Sequence, residues 1–130
     1  VPLHDDGSVT LVHQYRHAGG GMFLELPAGV LEAGEPPEVC AARELAEEVN
    51  LAADSYALLT ALHTTPGFTD ERIHLFVARQ LSPAEGVPEV DEYIEVVRIP
   101  LAEAIQMTRD GRITDGKTIC GLHLAAMHTA

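Results

Sequence analysis

Basic residues are scarce in this 130-residue chain, with eight Lys and Arg against 20 Asp and Glu and a formal charge of −12. That shortage argues against a nucleic-acid backbone as the main partner, because neutralising phosphates takes a basic stripe. It also argues against an anionic membrane surface. A small anionic nucleotide remains admissible, since bound divalent cations invert the local sign of the field. Only two cysteines occur, Cys40 and Cys120, without the spacing of a zinc or redox motif. Both read as small buried side chains, in keeping with a reducing cytoplasm. Trp is absent, and no bilayer-spanning apolar run, signal-peptide pattern or internal repeat is visible.

What is present suits one compact domain over residues 1–130. At 46% hydrophobic residues, a chain of this length can bury a single core. Its start is unusual: Val1-Pro2-Leu3 runs straight into the turn His4-Asp5-Asp6-Gly7. A strand ending at that turn would begin earlier, so residues upstream of Val1 are expected to be missing from this segment.

Periodicity predicts an α/β alternation. Strands are expected over Val9–Tyr15, Phe23–Leu26, Tyr56–His63, Ile73–Ala78 and Tyr93–Ile99. Gly19-Gly20-Gly21 reads as a plain turn, since no helix follows to make it a phosphate cradle. Ser82–Val90 reads as an acidic loop containing Pro and Gly. Helices are expected after Pro36-Pro37, over Leu101–Arg109 behind Pro100, and from about Gly116 to His128.

The first of these helices carries the chemistry. Its run has no Gly or Pro, and residues three and four apart share a helical face. Glu44, Glu47 and Glu48 therefore cluster on one side, leaving Val39, Ala42, Leu45 and Val49 to pack inward. Clustered carboxylates repel unless cations lie between them, and hard oxygen ligands suit Mg²⁺ or Mn²⁺. Any one of these Glu residues could belong to an ordinary solvated face; six polar positions at joint spacing are harder to explain that way.

Gly29, five residues, Glu35, seven residues, then Arg43-Glu44-Leu45-Ala46-Glu47-Glu48-Val49-Asn50-Leu51 resembles the Nudix box at every position but one. The family usually has Gly where this chain has Asn50. Such a Gly would close the helix in the left-handed conformation, and Asn is the next best occupant of it. The flanks, Gln14-Tyr15-Arg16, Glu25-Leu26-Pro27-Ala28, Thr65-Pro66-Gly67-Phe68-Thr69-Asp70-Glu71 and Thr114-Asp115-Gly116-Lys117-Thr118, are similar to the ADP-ribose pyrophosphatase branch of that family.

The resemblance implies a mixed β-sheet between α-helices and a homodimer in which an N-terminal segment helps clamp the adenine ring. It also implies hydrolysis of ADP-ribose to AMP and ribose 5-phosphate with two or three Mg²⁺ or Mn²⁺ ions. Two other readings stay open: a different nucleoside diphosphate derivative, such as a nucleotide sugar or dinucleoside polyphosphate, and a ligand sensor without catalysis. By resemblance, Glu44, Glu48 and the backbone carbonyl of Ala28 ligate metal, while Glu47 either completes a shell or orients a water. Gly29, Glu35 and Arg43 shape the motif, Arg43 pairing with Glu35. The general base is expected from the acidic loop, where Glu92 aligns best, Glu89 comes next, and Asp91 and Glu95 are further candidates; the alternative for Glu92 is a metal ligand, with another group activating the water. Arg16 is placed to bind a phosphate oxygen through its forked donors. Gly67, Phe68 and Glu71 are assigned to substrate binding, with Phe68 packing either on the substrate or under its own loop. The seven His residues lack persuasive ligand spacing.

Overall fold

In the computed structural model, residues 1–86 and 94–128 are described. The elements run β1 (Ser8–Arg16), β2 (Gly21–Glu25), α1 (Pro37–Val49), β3 (Leu51–His63), β4 (Arg72–Pro83), β5 (Ile94–Pro100), α2 (Leu101–Arg109) and α3 (Gly116–Met127). Strands β2, β1 and β5 form one antiparallel sheet in that order, and β3 pairs antiparallel with β4 in a second.

Val1–Leu3 stitches the two sheets together. Ala78 N donates to Val1 O and Leu3 N donates to Ala78 O, both at 2.9 Å, while Thr10 N donates to Pro2 O at 3.1 Å. Pro2 thereby bridges β4 in parallel, and Leu3 bridges β1 antiparallel. Proline suits the position because only its carbonyl is asked for.

Helices cover both sides of this framework. Leu122 and Ala125 of α3 and Ala104 of α2 join Leu11 and Val77 in one apolar cluster. Leu45 and Val49 of α1 join Val12 and Ala78 in the other. The strand β1 feeds both clusters because it is buried from Ser8 to Val12.

Several boundaries differ from expectation. β3 begins at Leu51 rather than Tyr56, and β4 runs on to Pro83, so Ser82 belongs to a strand and not to the acidic loop. Leu51-Ala52-Ala53-Asp54-Ser55 lacks the β-branched and aromatic residues that mark strands; its extended form comes from pairing with Arg79–Pro83. Helix α3 stops at Met127, one residue short of His128. Tyr93 lies outside the described residues, and β5 is described from Ile94. Val39 is 53% exposed, contrary to the inward packing expected of it, because Cys40 takes the buried position in that turn. Cys120 is exposed rather than buried, on a helix whose inward positions are held by Thr118, Gly121, Leu122 and Ala125.

Candidate active site

The chain between β2 and α1 and the acidic face of α1 close on each other. Pro37 opens α1 at a first-turn position where its missing N–H is harmless. At the other end Asn50 is left-handed (φ 55°, ψ 41°), its N–H reaching Ala46 O, as a C-cap requires. Between these ends, Glu48 Oε2 accepts a hydrogen bond from Ala28 N at 3.0 Å. Gly29 lies directly against the Glu44 carboxyl, in space that a Cβ would fill. The absence of a side chain at Gly29 is therefore a steric requirement of Glu44.

Arg43 organises the acidic face. Its Nε and Nη2 donate to Glu35 Oε2 and Oε1 at 2.9 and 3.0 Å. Its Nη1 donates to Glu44 Oε1 at 2.9 Å and to Glu47 Oε2 at 3.2 Å, and Nη2 also reaches Val30 O at 3.3 Å. One guanidinium thus holds the loop and two carboxylates of the helix in register, a task suited to its rigid fork. The Arg43 hydrogen bonds keep the Glu35 carboxyl down at about 2, and the same pairing holds Arg43 well above its ordinary range. Neighbouring Cys40 is the reverse case. Burial first, then the hydrogen bond to Glu35, pushes its thiol up to about 11, so it stays neutral.

A second ionic group gathers at the end of β2 and the start of α3. Arg16 Nε and Nη2 grip Glu25 Oε2 and Oε1 at 2.7 and 3.0 Å. Lys117 Nζ donates to Glu25 Oε1 and, at 2.9 Å, to Asp115 Oδ2. Burial alone would raise the Glu25 carboxyl, but Arg16 and Lys117 together outweigh it and hold the group below the usual carboxylate range. Asp115 caps α3, accepting from Thr118 N at 3.1 Å and Thr118 Oγ1 at 2.6 Å. Thr118 Oγ1 in turn accepts from Leu26 N at 3.0 Å, which fixes the start of the Leu26–Gly29 segment.

Arg43, Glu44 and Glu48 from the first group and Arg16, Asp115 and Lys117 from the second line one cavity of about 1250 Å³, together with Gln14, Thr64, Thr65, Glu71 and Arg72. The structure therefore brings Arg16, Ala28, Gly29, Arg43, Glu44, Glu48 and Glu71 together. Glu71 is held by Thr64 Oγ1 at 2.8 Å. Phe68 is 85% exposed and, with Gly67, stands outside the described cavity wall, so the alternative of packing under its own loop does not hold. Glu95 lies on β5 beside His13 at 3.8 Å, away from that wall. Glu89, Asp91 and Glu92 fall outside the described residues. Glu25, Asp115 and Lys117 carried no assigned role in the sequence reading; a charged residue just before Leu26-Pro27-Ala28-Gly29 and the Asp115-Gly116-Lys117-Thr118 turn were the available signals.

Among the described residues no three His, Cys, Asp or Glu side chains converge into a metal-binding group. The donor chemistry nevertheless fits a hard divalent cation, because Glu44 and Glu48 bring carboxylate oxygens together beside the Ala28–Gly29 backbone.

A family model described as the NUDIX domain matches residues 1–121. The chain belongs to the NUDIX family. It is 40% identical over 120 residues to an ADP-ribose pyrophosphatase of Bacillus subtilis, covering 91% of this chain and 65% of that protein. It is 41% identical over 132 residues to a GDP-mannose pyrophosphatase of Yersinia enterocolitica, covering 95% of this chain and 69% of the relative. The crystal structure of an ADP compounds hydrolase superposes with a TM-score of 0.89 at 26% identity, over 98% of this chain and 68% of that one. The chain thus spans about two thirds of the length of these relatives, and its architecture is the mixed α/β Nudix fold, a central sheet flanked by helices.

Proposed function

We propose that this domain is a metal-dependent pyrophosphohydrolase that cleaves the diphosphate of a nucleoside-diphosphate-linked substrate. The observation that carries the reading is the closure of Glu44 and Glu48 on Ala28–Gly29, with Arg43 bound to Glu35, Glu44 and Glu47. ADP-ribose, giving AMP and ribose 5-phosphate, is the first substrate to test, on the strength of the motifs flanking the box and the similarity to the Bacillus protein. GDP-mannose is the second, since a relative named for it is as similar.

In this reading Glu44, Glu48 and the Ala28 carbonyl hold the ions, two or three of Mg²⁺ or Mn²⁺, with Glu47 completing a shell or orienting a water. When bound, the ions would neutralise the diphosphate and acidify the attacking water. The residues around them have separate tasks. Arg43 positions the carboxylates through contacts at both ends of its fork. Arg16 spends Nε and one N–H of Nη2 on Glu25, so a phosphate oxygen would fall to Nη1 or to the second N–H of Nη2. Glu71 is placed to contact the substrate, whereas Gly67 and Phe68, outside the cavity wall, would reach it only by moving. Glu92, or Glu89, is the proposed general base, where reach to the water matters more than a large pKa shift. A homodimer and a cytoplasmic setting belong to the same proposal.

The test is AMP or GMP release from ADP-ribose, GDP-mannose and diadenosine polyphosphates with Mg²⁺, Mn²⁺ or EDTA, in wild type and Glu48→Gln. Metal-dependent release that collapses in the variant is expected. Turnover that survives EDTA would refute the metal dependence, and silence on every substrate from the whole protein would replace this reading with a ligand sensor.

A further inference from the structure

Asn50 fastens the chain leaving β4 to the end of α1. Asn50 O accepts a hydrogen bond from Ala84 N at 2.8 Å, and Asn50 Oδ1 accepts one from Gly86 N at 3.3 Å. Gly86 has no room for a side chain: a Cβ there would overlap the Ala46 carbonyl and crowd Glu47 Cα. The chain at Gly86 therefore lies backbone against backbone on the turn of α1 that carries Glu47 and Glu48. Helix ends are where backbone bonds run out and turns fray, so a contact at this place bears on where those carboxylates point.

Asn50 has three duties here, and glycine could perform two of them. Glycine adopts the left-handed conformation at least as readily, and its carbonyl would serve Ala84 equally. It has no Oδ1 for Gly86. We propose that Asn50 is a positioning residue whose side chain latches Gly86 onto the Ala46–Glu47 peptide and so holds the last turn of α1 in its working place. The consequence for turnover rests on the hydrolase reading; the latch itself does not.

Asn50→Gly and Asn50→Asp separate this role from a structural one. The glycine variant keeps the left-handed cap and is expected to melt at or above the wild-type temperature. Its kcat is expected to fall about three- to tenfold, as loss of one hydrogen bond at a working turn implies, with KM within about twofold. The aspartate variant keeps an acceptor and tolerates positive φ, so kcat should return to within about twofold despite the unfavourable charge at a helix C-terminus. Hydrogen exchange at the Gly86 amide, followed by NMR, should quicken in Asn50→Gly and stay slow in Asn50→Asp. Equal exchange in all three proteins overturns the latch. Faster exchange with unchanged kcat overturns the positioning role, as does a kcat loss that tracks melting temperature and is not rescued by aspartate. A wild type silent on every substrate would sink the hydrolase reading and Asn50's role in turnover with it, while Gly86 exchange would still decide the latch.

Discussion

Replacing Gly29 by Ala should separate activity from stability. A Cβ on Gly29 would sit 1.9 Å from Glu44 Cδ, so the carboxyl must retreat by about 1.5 Å to reach an ordinary carbon–carbon separation near 3.5 Å. The obstacle is the far end of a flexible side chain, and Gly29 is not at positive φ, so the backbone can stay. Retreat breaks the 2.9 Å bond between Arg43 and Glu44, but Arg43 keeps Glu35, Glu47 and Val30. Losing that bond costs about 1 kcal/mol, and the alanine returns about 0.4–1 kcal/mol by narrowing the unfolded ensemble. The two nearly cancel, so the melting temperature should move by only a few degrees. Turnover should not be spared, because misplacing a working group by about 1 Å can cost on the order of 100-fold. Differential scanning fluorimetry beside steady-state kinetics on the substrate that wild type cleaves gives both quantities. A kcat within about threefold of wild type would refute the steric reasoning, and a joint collapse of kcat and melting temperature would show that Gly29 serves the fold.

Other groups give sharper readouts of stability. Glu35 ionises at about 2 in the folded protein against an ordinary 4.5, so the unfolded chain binds the extra proton between those values. Stability from this group is complete above about pH 4.5 and is lost as pH falls towards 2; urea titrations across that window should show a slope that Glu35→Gln flattens, and an unchanged slope would remove Arg43–Glu35 from the acid response. Thr118→Val should cost about 1–3 kcal/mol by stranding Leu26 N, with Thr118→Ser restoring it; equal melting of Val and Ser variants would contradict the bond. Arg16→Met leaves the buried Glu25 with Lys117 alone and should cost about 1–3 kcal/mol while raising KM, and a loss below about 0.5 kcal/mol would show that Lys117 suffices.

The sequence exposed those parts of the molecule whose geometry is local. Glu44, Glu47 and Glu48 share a face because a helix repeats every 3.6 residues, and Asn50 at positive φ follows from the stereochemistry of helix ends. Arg43 meeting Glu35 across eight residues was foreseeable only from the family likeness. Long-range contacts left fainter traces. Nothing local marks Leu51–Ser55 as strand, since partner residues in β4 impose it. The Arg16–Glu25–Lys117–Asp115 group joins residues up to 92 positions apart in the bond from Lys117 to Glu25, and each taken singly looks like a surface charge. Val39 and Cys120 were misjudged because apolarity signals burial only when the face is known.

The scarcity of basic residues acquires a meaning once their positions are known. Arg16, Arg43, Arg72 and Lys117, half of the eight in the chain, line the cavity of the candidate site. Even there they do not prevail, for Glu32, Glu44, Glu48, Glu71 and Asp115 line it too. Among the described residues, three of the four cations are engaged with carboxylates: Arg16 and Lys117 with Glu25, and Arg43 with Glu35, Glu44 and Glu47. A diphosphate entering this cleft would meet cations already committed and carboxylates that repel it. Protein charge alone therefore supplies no net attraction for the proposed substrate. Divalent ions seated on Glu44 and Glu48 would reverse that balance at the point where the diphosphate must lie. Substrate affinity should accordingly depend on metal as strongly as turnover does, and equilibrium dialysis of a non-hydrolysable methylene-bridged nucleotide analogue against the wild type, with and without Mg²⁺, would detect it; equal affinity in the two conditions would refute the argument.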